Sequence, residues 1–461
     1  FLYRARRGAE SAHVVVVNHA LLLSDLGTDG GILPPYRHLI IDEAHGLEAE
    51  ATRQLGFEVD APRLALHLDA LGRAEGTRGE GRRARGEEAR GGSGDPLGEL
   101  RARLNVTKGK AAREAGSRVG EAAAQARAAV ATAREAGVAF FARLAAFVAR
   151  HGGEGGGYDQ RLRLIDDLRA ADDWREVEVA WDGLHAPLLT IGEALTATLL
   201  ALDAVGEELE GREDIIMELT LALRANAEIR LHAGAAVARP DPGMVYWIEA
   251  GGGGGGGAGR IGLHAAPLHV GQALREGLFG PKRSTVLTSA TLATEGSFAF
   301  VRERLGLADN EAVRELRVPS PFDYARNVLL LLPDDIPEPG APNHQKGLNE
   351  ALIRLCAATE GRALVLFTSY NALQTTYRAI KAPLERAGVL VLGQRIDGGP
   401  RQILDRFRSN PGTVLLGTSS FWEGVDVVGD ALSTLVITRL PFAVPTDPVF
   451  AARSEGFADP F

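Results

Sequence analysis

The sequence predicts an α/β protein in which two parallel sheets are separated by a long helical block. Three observations carry this. Short aliphatic runs closed by small or polar residues stand near the N-terminus, at Val14–Val17 and His38–Asp42. Between Leu47 and about Ala236 such runs nearly vanish, and Ala, Leu, Glu and Arg at helical spacing replace them. From Ser284 onward the aliphatic runs return and alternate with helical segments, the rhythm of parallel strands joined by crossover helices.

Taken in order, Val14–Val17 reads as a buried strand closed by Asn18-His19 and followed by a short helix through Leu21–Leu23. Leu39-Ile40-Ile41 reads as a second, fully buried strand. In the helical block, Phe140, Phe141, Leu144, Phe147 and Val148 share one face that ends at Gly152-Gly153, a suitable C-cap. Leu188, Ile191, Leu195, Leu199, Leu202, Val205 and Leu209 share another; both stripes are core-forming. The Gly/Arg/Glu-rich tract Gly72–Pro96 reads as a solvated loop. The run Gly251–Gly257 reads as a hairpin tip between strands Val245–Glu249 and Ile261–Ala265, without the spaced pattern of a phosphate loop. Strands are then expected at Ser284–Leu287, Val328–Leu332, Ala363–Phe367, Val389–Leu392, Val414–Leu416 and Thr434–Ile437.

Length and composition bound the function. A chain of 461 residues has room for two to four domains. No run approaches the length of a membrane span, and the N-terminus is not a signal peptide. A net charge of −9 argues against a surface coated with nucleic-acid-binding charge, yet leaves room for a local basic groove. The single cysteine, Cys356, excludes an internal disulfide or a cysteine-ligated metal among these residues, and it fits a reducing cytoplasm. The chain opens at Phe1 without an initiator methionine and stops at Asp459-Pro460-Phe461, so it reads as a segment of a longer protein.

The chemistry is concentrated in HLIIDEAH, His38–His45. Open α/β sheets place ligands at the C-terminal ends of their strands. Two carboxylates there suit a magnesium–nucleotide site: Asp42 to hold Mg²⁺ through water, Glu43 to orient or deprotonate the water that attacks the γ-phosphate. An acidic helix N-terminus is the plainer alternative for these two residues. Ser289-Ala290-Thr291 closes a strand with small hydroxyls suited to coupling a nucleotide site to a neighbouring domain, although an ordinary strand-to-helix turn commonly carries Ser or Thr as well. Thr368-Ser369-Tyr370 closes another, with a hydroxyl for phosphate and an aromatic for a base, although a helix N-cap explains the hydroxyls equally well. In Ser419–Val427, Trp422, for which plain core packing is the alternative, precedes an acidic-glycine turn in which Gly424 permits close backbone approach and Asp426 can accept from a ribose or orient a basic group.

In this order the blocks resemble the XPD/DinG-type DNA helicases of superfamily 2, in the bacterial DinG-like branch. The matching segments are ARR…VVVVNHALLL, HLIIDEAH, LTSATL, the SPF of Ser320–Phe322, LVLFTSY, LLGTSSFWEGVDVVGDAL and RLPFAVPTDP. The resemblance implies two RecA-like motor domains clamping ATP, one at 1–46 with 237–296 and one at 297–461, both incomplete here. It makes 47–236 an all-helical, arch-like insertion. By motif it makes Asp42, Glu43 and His45 catalytic, with Asp42 on Mg²⁺. Ser289, Thr291, Gly424 and Asp426 face the nucleotide, and Asn18, His19, Ser369, Tyr370 and Trp422 lie on the DNA side.

The implied activity is ATP-driven 5′→3′ translocation on single-stranded DNA with unwinding of forked duplexes, in repair or replication. The implied protein is a cytoplasmic monomer without membrane contact; a nuclease whose helicase-like domains bind nucleic acid is the alternative. Two family parts do not occur in these residues: the Walker A loop G-x-x-x-x-G-K-[ST], which the family places upstream, and the final arginine motif. The chain alone is therefore expected to hydrolyse ATP poorly. Many relatives carry a four-cysteine iron–sulfur cluster upstream of the first matching block. Cys356 lies in the wrong domain to ligate one.

Overall fold

The computed structural model describes residues 8–27, 32–72, 97, 100, 102–104, 110–152, 160–203, 209, 211–251, 260–422, 425–427 and 429–457. The expected loop beyond Gly72, most of the seven-glycine tip, Val205, Gly153 and Gly424 lie outside these residues. The chain divides into two compact units, Phe1–Glu315 with Val444–Phe461, and Leu316–Ala443.

In the first unit, helix α1 (His19–Gly27) precedes strand β1 (His38–Ile41), and helix α2 (Leu47–Gln54) follows the acidic turn. Strand β2 (Phe57–Asp60) leads into α3 (Ala61–Leu71), whose N-terminus is capped by Asp60 accepting from the Arg63 amide at 2.7 Å. The long helices α4 (Lys110–His151), α5 (Trp174–Asp203) and α6 (Arg212–Val237) follow, with strand β3 (Gln160–Arg163) between the first two. Strands β4 (Met244–Ala250) and β5 (Ile261–Pro267) form the expected hairpin, and β6 (Ser284–Leu287) and helix α7 (Ala299–Arg304) close the segment.

Two separate sheets result. β1 and β6 pair in parallel, His38 opposite Ser284 through Ile41 opposite Leu287. β2, β5, β4 and β3 make a four-stranded antiparallel sheet in that order. The helical block therefore includes two strands that the sequence does not announce. FEVD and QRLR are only four residues each, carry charge and lie at the sheet's edges, so no aliphatic run marks them. Both apolar stripes read from the sequence are buried: Phe140, Leu144, Phe147, Leu188, Ile191 and Leu195 share one core with Trp174 and Trp181. Phe147 meets Trp174 edge-on, with ring centroids 5.0 Å apart.

Three expectations are corrected in this unit. Val14–Val17 forms no strand, and Val16 is 91% exposed. An aliphatic run becomes a strand only when a partner supplies hydrogen bonds, and none of the described residues pairs with it. β1 is half-buried rather than fully buried: Ile41 packs against Leu23, Leu47 and Leu274, while Ile40 on the opposite face is 73% exposed. Finally, α5 is long and apolar enough, by length and composition, to cross a membrane. Its apolar face is instead filled by α4 and α6, the packing of a core helix.

In the second unit, helix α8 (His344–Ala358), strand β7 (Ala363–Leu366), helix α9 (Tyr370–Arg386), strand β8 (Leu390–Gly393), helix α10 (Pro400–Ser409) and strands β9 (Thr413–Gly417) and β10 (Thr434–Ile437) form a parallel sheet of order β10-β7-β9-β8. Its strands alternate between two cores. Val365, Val391, Val414 and Leu416 face α8 and α9 with the buried Cys356. Leu364, Leu366, Leu392 and Leu415 face Ile403 and Phe407 of α10. The expected strand Val328–Leu332 does not form; Leu332 is 80% exposed, with no strand partner among the described residues. A last helix, α11 (Pro448–Ser454), belongs to the first unit although it follows the second in sequence.

Candidate functional site

The acidic turn grows from the β1–β6 ladder. Beyond the paired strands the ladder continues: Thr288 donates to the Ile41 carbonyl at 2.9 Å, and Ala44 donates to the Thr288 carbonyl at 3.0 Å. These two bonds carry Asp42–His45 and Ser289–Thr291 to the same end of the sheet. There His45 Nδ1 lies 2.8 Å from Ser289 Oγ and 3.3 Å from Glu43 Oε2. A proton on Nδ1 satisfies both neighbours, because the hydroxyl and the carboxylate can each accept it. Ser289 Oγ also accepts from the Thr291 amide at 3.3 Å, so one hydroxyl joins three of the predicted residues.

Glu43 has left-handed backbone angles, φ 51° and ψ 41°. For a residue other than glycine this costs of order 1 kcal/mol or more, and such positions concentrate at functional turns. The distortion lets the chain turn sharply after β1 while Gly46 donates back to the Glu43 carbonyl at 3.1 Å. Asp42 Oδ1 accepts from the Glu43 amide at 3.0 Å, which fixes the carboxylate's rotation. Both acidic side chains are exposed.

Their donor set suits a hard divalent cation. Magnesium takes oxygen ligands, keeps several waters and needs only one or two carboxylates when a phosphate supplies the rest. Among the described residues no cluster of three or more His, Cys, Asp or Glu makes an all-protein metal cage. Cys356 suits no cluster. It is buried beneath β7, and burial pushes its thiol up to about 11.

Asn18 and His19 have local partners. Asn18 Oδ1 accepts from the Leu21 amide at 2.9 Å at the start of α1. His19 Nε2 lies 2.8 Å from the Asp42 carbonyl; since a carbonyl only accepts, Nε2 carries the proton and donates. His19 thus braces the backbone of the acidic turn.

In the second unit Ser369 and Tyr370 follow β7, and Trp422 and Asp426 lie in the segment after β9. Ser369 caps α9, accepting from the Ala372 amide at 3.2 Å. Tyr370 follows, half-buried, with the Arg395 guanidinium 5.7 Å from its ring centroid. Trp422 packs on the Leu364–Phe421 core and donates its indole N–H to the Phe367 carbonyl at 3.3 Å. The Asp426 carbonyl accepts from Arg408 at 2.5 Å. Gly417 ends β9 where Phe421 folds back, and a Cβ there would approach Phe421 to 2.7 Å.

Sequence reasoning missed Gln394, which is 2% exposed at the end of β8. Its Oε1 accepts from the Thr418 amide at 2.7 Å and the Thr418 hydroxyl at 2.9 Å, while its Nε2 lies 3.3 Å from Ser420 Oγ. Gln394 therefore holds the start of the TSSFW segment. A polar residue one glycine beyond the aliphatic run Val389–Leu392 is its only sequence signal.

A helicase C-terminal domain family matches residues 352–460. The chain is 29% identical to the 3′-5′ exonuclease DinG of Bacillus subtilis over 465 residues, covering 99% of this chain and 46% of that protein. It is 31% identical to the ATP-dependent DNA helicase YoaA of Haemophilus influenzae over 308 residues, covering 64% and 43%. It is 28% identical to the ATP-dependent helicase DinG of Mycobacterium tuberculosis over 460 residues, covering 99% and 57%. The chain thus spans about half the length of these relatives. Its DEAH and SAT segments meet at one sheet end, its C-terminal part matches a helicase C-terminal domain, and nearly its whole length is similar to proteins named DinG.

Proposed function

We propose that the chain supplies the acidic strand and a second motor unit to an ATP-driven helicase that moves 5′→3′ on single-stranded DNA and unwinds forked duplexes in repair or replication. One observation carries most weight: the His45–Ser289 contact joins the DEAH and SAT segments beside two exposed carboxylates. In this reading residues 1–46 with 237–296, and 297–461, belong to two RecA-like domains. Residues 47–236 are an arch-like insertion with two edge strands added at its base.

The chemistry follows from the turn. Asp42, its rotation set by the Glu43 amide, is the ligand side chain for Mg²⁺. When bound, Mg²⁺ offsets charge on the β- and γ-phosphates. Glu43 orients the attacking water and accepts its proton. His45 holds Glu43 on one side and Ser289 on the other, so a change in either neighbour is felt at the base. Ser289, Thr291, Gly424 and Asp426 are proposed nucleotide contacts, with Gly424 outside the described residues. Asn18, His19, Ser369, Tyr370 and Trp422 are proposed for the DNA side; the local bonds of Asn18, His19 and Trp422 favour positioning over direct contact.

A second reading, a nuclease whose motor-like units bind DNA, is favoured by the exonuclease name of the Bacillus relative. Tailed duplexes separate the two. The intact natural protein with ATP and Mg²⁺ is expected to displace the partner strand of a 5′-tailed duplex and to leave a 3′-tailed one paired. ATP-independent shortening without displacement supports the nuclease reading instead.

A further inference from the structure

Arg453 lies in α11, after the chain has left the second unit at Ala443, yet its polar partners all come from the first. Its Nε donates to the Leu268 carbonyl at 2.8 Å, and its Nη2 donates to Thr52 Oγ1 at 2.8 Å and the Pro267 carbonyl at 3.3 Å. Its Nη1 lies 3.0 Å from Glu48 Oε1. Glu48 and Thr52 stand on α2, the helix that begins two residues after His45. The same Glu48 carboxylate also takes a bidentate pair from Arg304.

Two outer anchors flank this contact. Asp447, the N-cap of α11, pairs with Arg161 at 3.0 Å, and Glu455 pairs with Arg163 through bonds of 2.5 and 2.9 Å. Arg161 and Arg163 lie on edge strand β3. These outer pairs are largely exposed and contribute little. Arg453 is different. Its fork is nearly buried and every bond ends on α2 or on the end of β5. Burial pulls its guanidinium below the ordinary value, a cost that Glu48 offsets only in part.

We infer that Arg453 is a positioning residue that straps the chain leaving the second unit to the helix bearing the acidic turn, and so couples the movement of one to the geometry of the other. The segment Val444–Glu455 is continuous with the second unit and clamped onto the first, so tension along it reaches Glu48, three residues from His45. The inference rests on the helicase reading.

The test uses the intact protein and compares wild type with Arg453→Gln and Arg453→Lys. ATP turnover is measured with and without single-stranded DNA, together with KM for ATP and the unfolding temperature. Arg304 still neutralises Glu48 in both variants, so folding is expected to survive. Arg453→Gln should lower the DNA-stimulated kcat about tenfold, the scale of a lost coupling contact, with the unstimulated rate and KM within about twofold. Lysine keeps the pair with Glu48 but not the fork, and should recover part of the stimulation. A stimulation ratio equal to wild type in Arg453→Gln overturns the inference and leaves the helicase reading standing. Stimulated and unstimulated rates falling in parallel, with a lower unfolding temperature, mark a merely structural contact and overturn it too. If Arg453→Gln fails to fold, a stimulation ratio below wild type in both Arg453→Lys and Glu48→Gln, with unstimulated rates kept, supports the inference; otherwise the inference falls. A wild-type protein without DNA-stimulated hydrolysis overturns both readings together.

Discussion

His45 Nδ1 and Ser289 Oγ are 2.8 Å apart although 244 residues separate them in the chain. The distance is set by the parallel register of β1 and β6, which brings two strand ends side by side and leaves one hydroxyl within reach of one imidazole. Ser289→Ala removes the hydroxyl without changing the strand. The intact protein carrying it is expected to lose about three- to tenfold in DNA-stimulated ATP turnover, the worth of one such bond. Unchanged turnover in steady-state assays would detach the SAT segment from the mechanism.

Four histidines of the helical block and its sheet, His67, His185, His232 and His264, have their pKa values lowered, chiefly by burial. The folded state thus binds fewer protons than the unfolded chain. Their contribution is present above the ordinary value of 6.5 and is lost as pH falls through the lower folded values. His67 is the most informative, since its ring lies 3.3 Å from Asn226 Oδ1 in the core. His67→Gln keeps a donor there and does not titrate. Thermal unfolding between pH 7.5 and 5 should show a shallower loss of stability in this variant, and an identical slope would remove His67 from the effect.

Gly417 makes room for Phe421 at the head of the FWEGVD segment. Gly417→Ala places a methyl group where only 2.7 Å is available, and overpacking of this kind costs about 1–3 kcal/mol. Denaturant unfolding of the variant should show that loss. Wild-type stability would mean the turn moves freely.

The Cys356 thiol is buried, and its raised pKa leaves almost no thiolate at neutral pH. A maleimide probe should label it only after denaturation. Rapid labelling of the native protein would contradict its place under β7.

Much of this was legible in the chain. The runs at 39–41, 284–287, 363–367 and 414–416 are aliphatic enough to be read as strands, and their ends carry the hydroxyl and acidic residues proposed to meet ligands. The periodic faces around Phe140 and Leu188 announced the helical core equally well. Less legible were elements whose identity depends on a partner. β2 and β3 carry Glu, Asp, Gln and Arg because they lie at sheet edges, while Val14–Val17 and Val328–Leu332 look like strands but pair with nothing described. Gln394 and Arg453 escaped for a related reason. Their roles exist only once Thr418, or Glu48 and Thr52, are brought beside them by the fold.

We propose that Glu43, turned by its left-handed backbone toward His45, is the base of an ATP-driven DNA motor. The direct measurement is ATP hydrolysis by the intact protein with saturating single-stranded DNA, for wild type and Glu43→Gln, alongside nucleotide affinity. The expected result is DNA-stimulated turnover in wild type and a loss of about a hundredfold or more in Glu43→Gln, with ATP affinity retained. Normal turnover by Glu43→Gln would contradict the assignment.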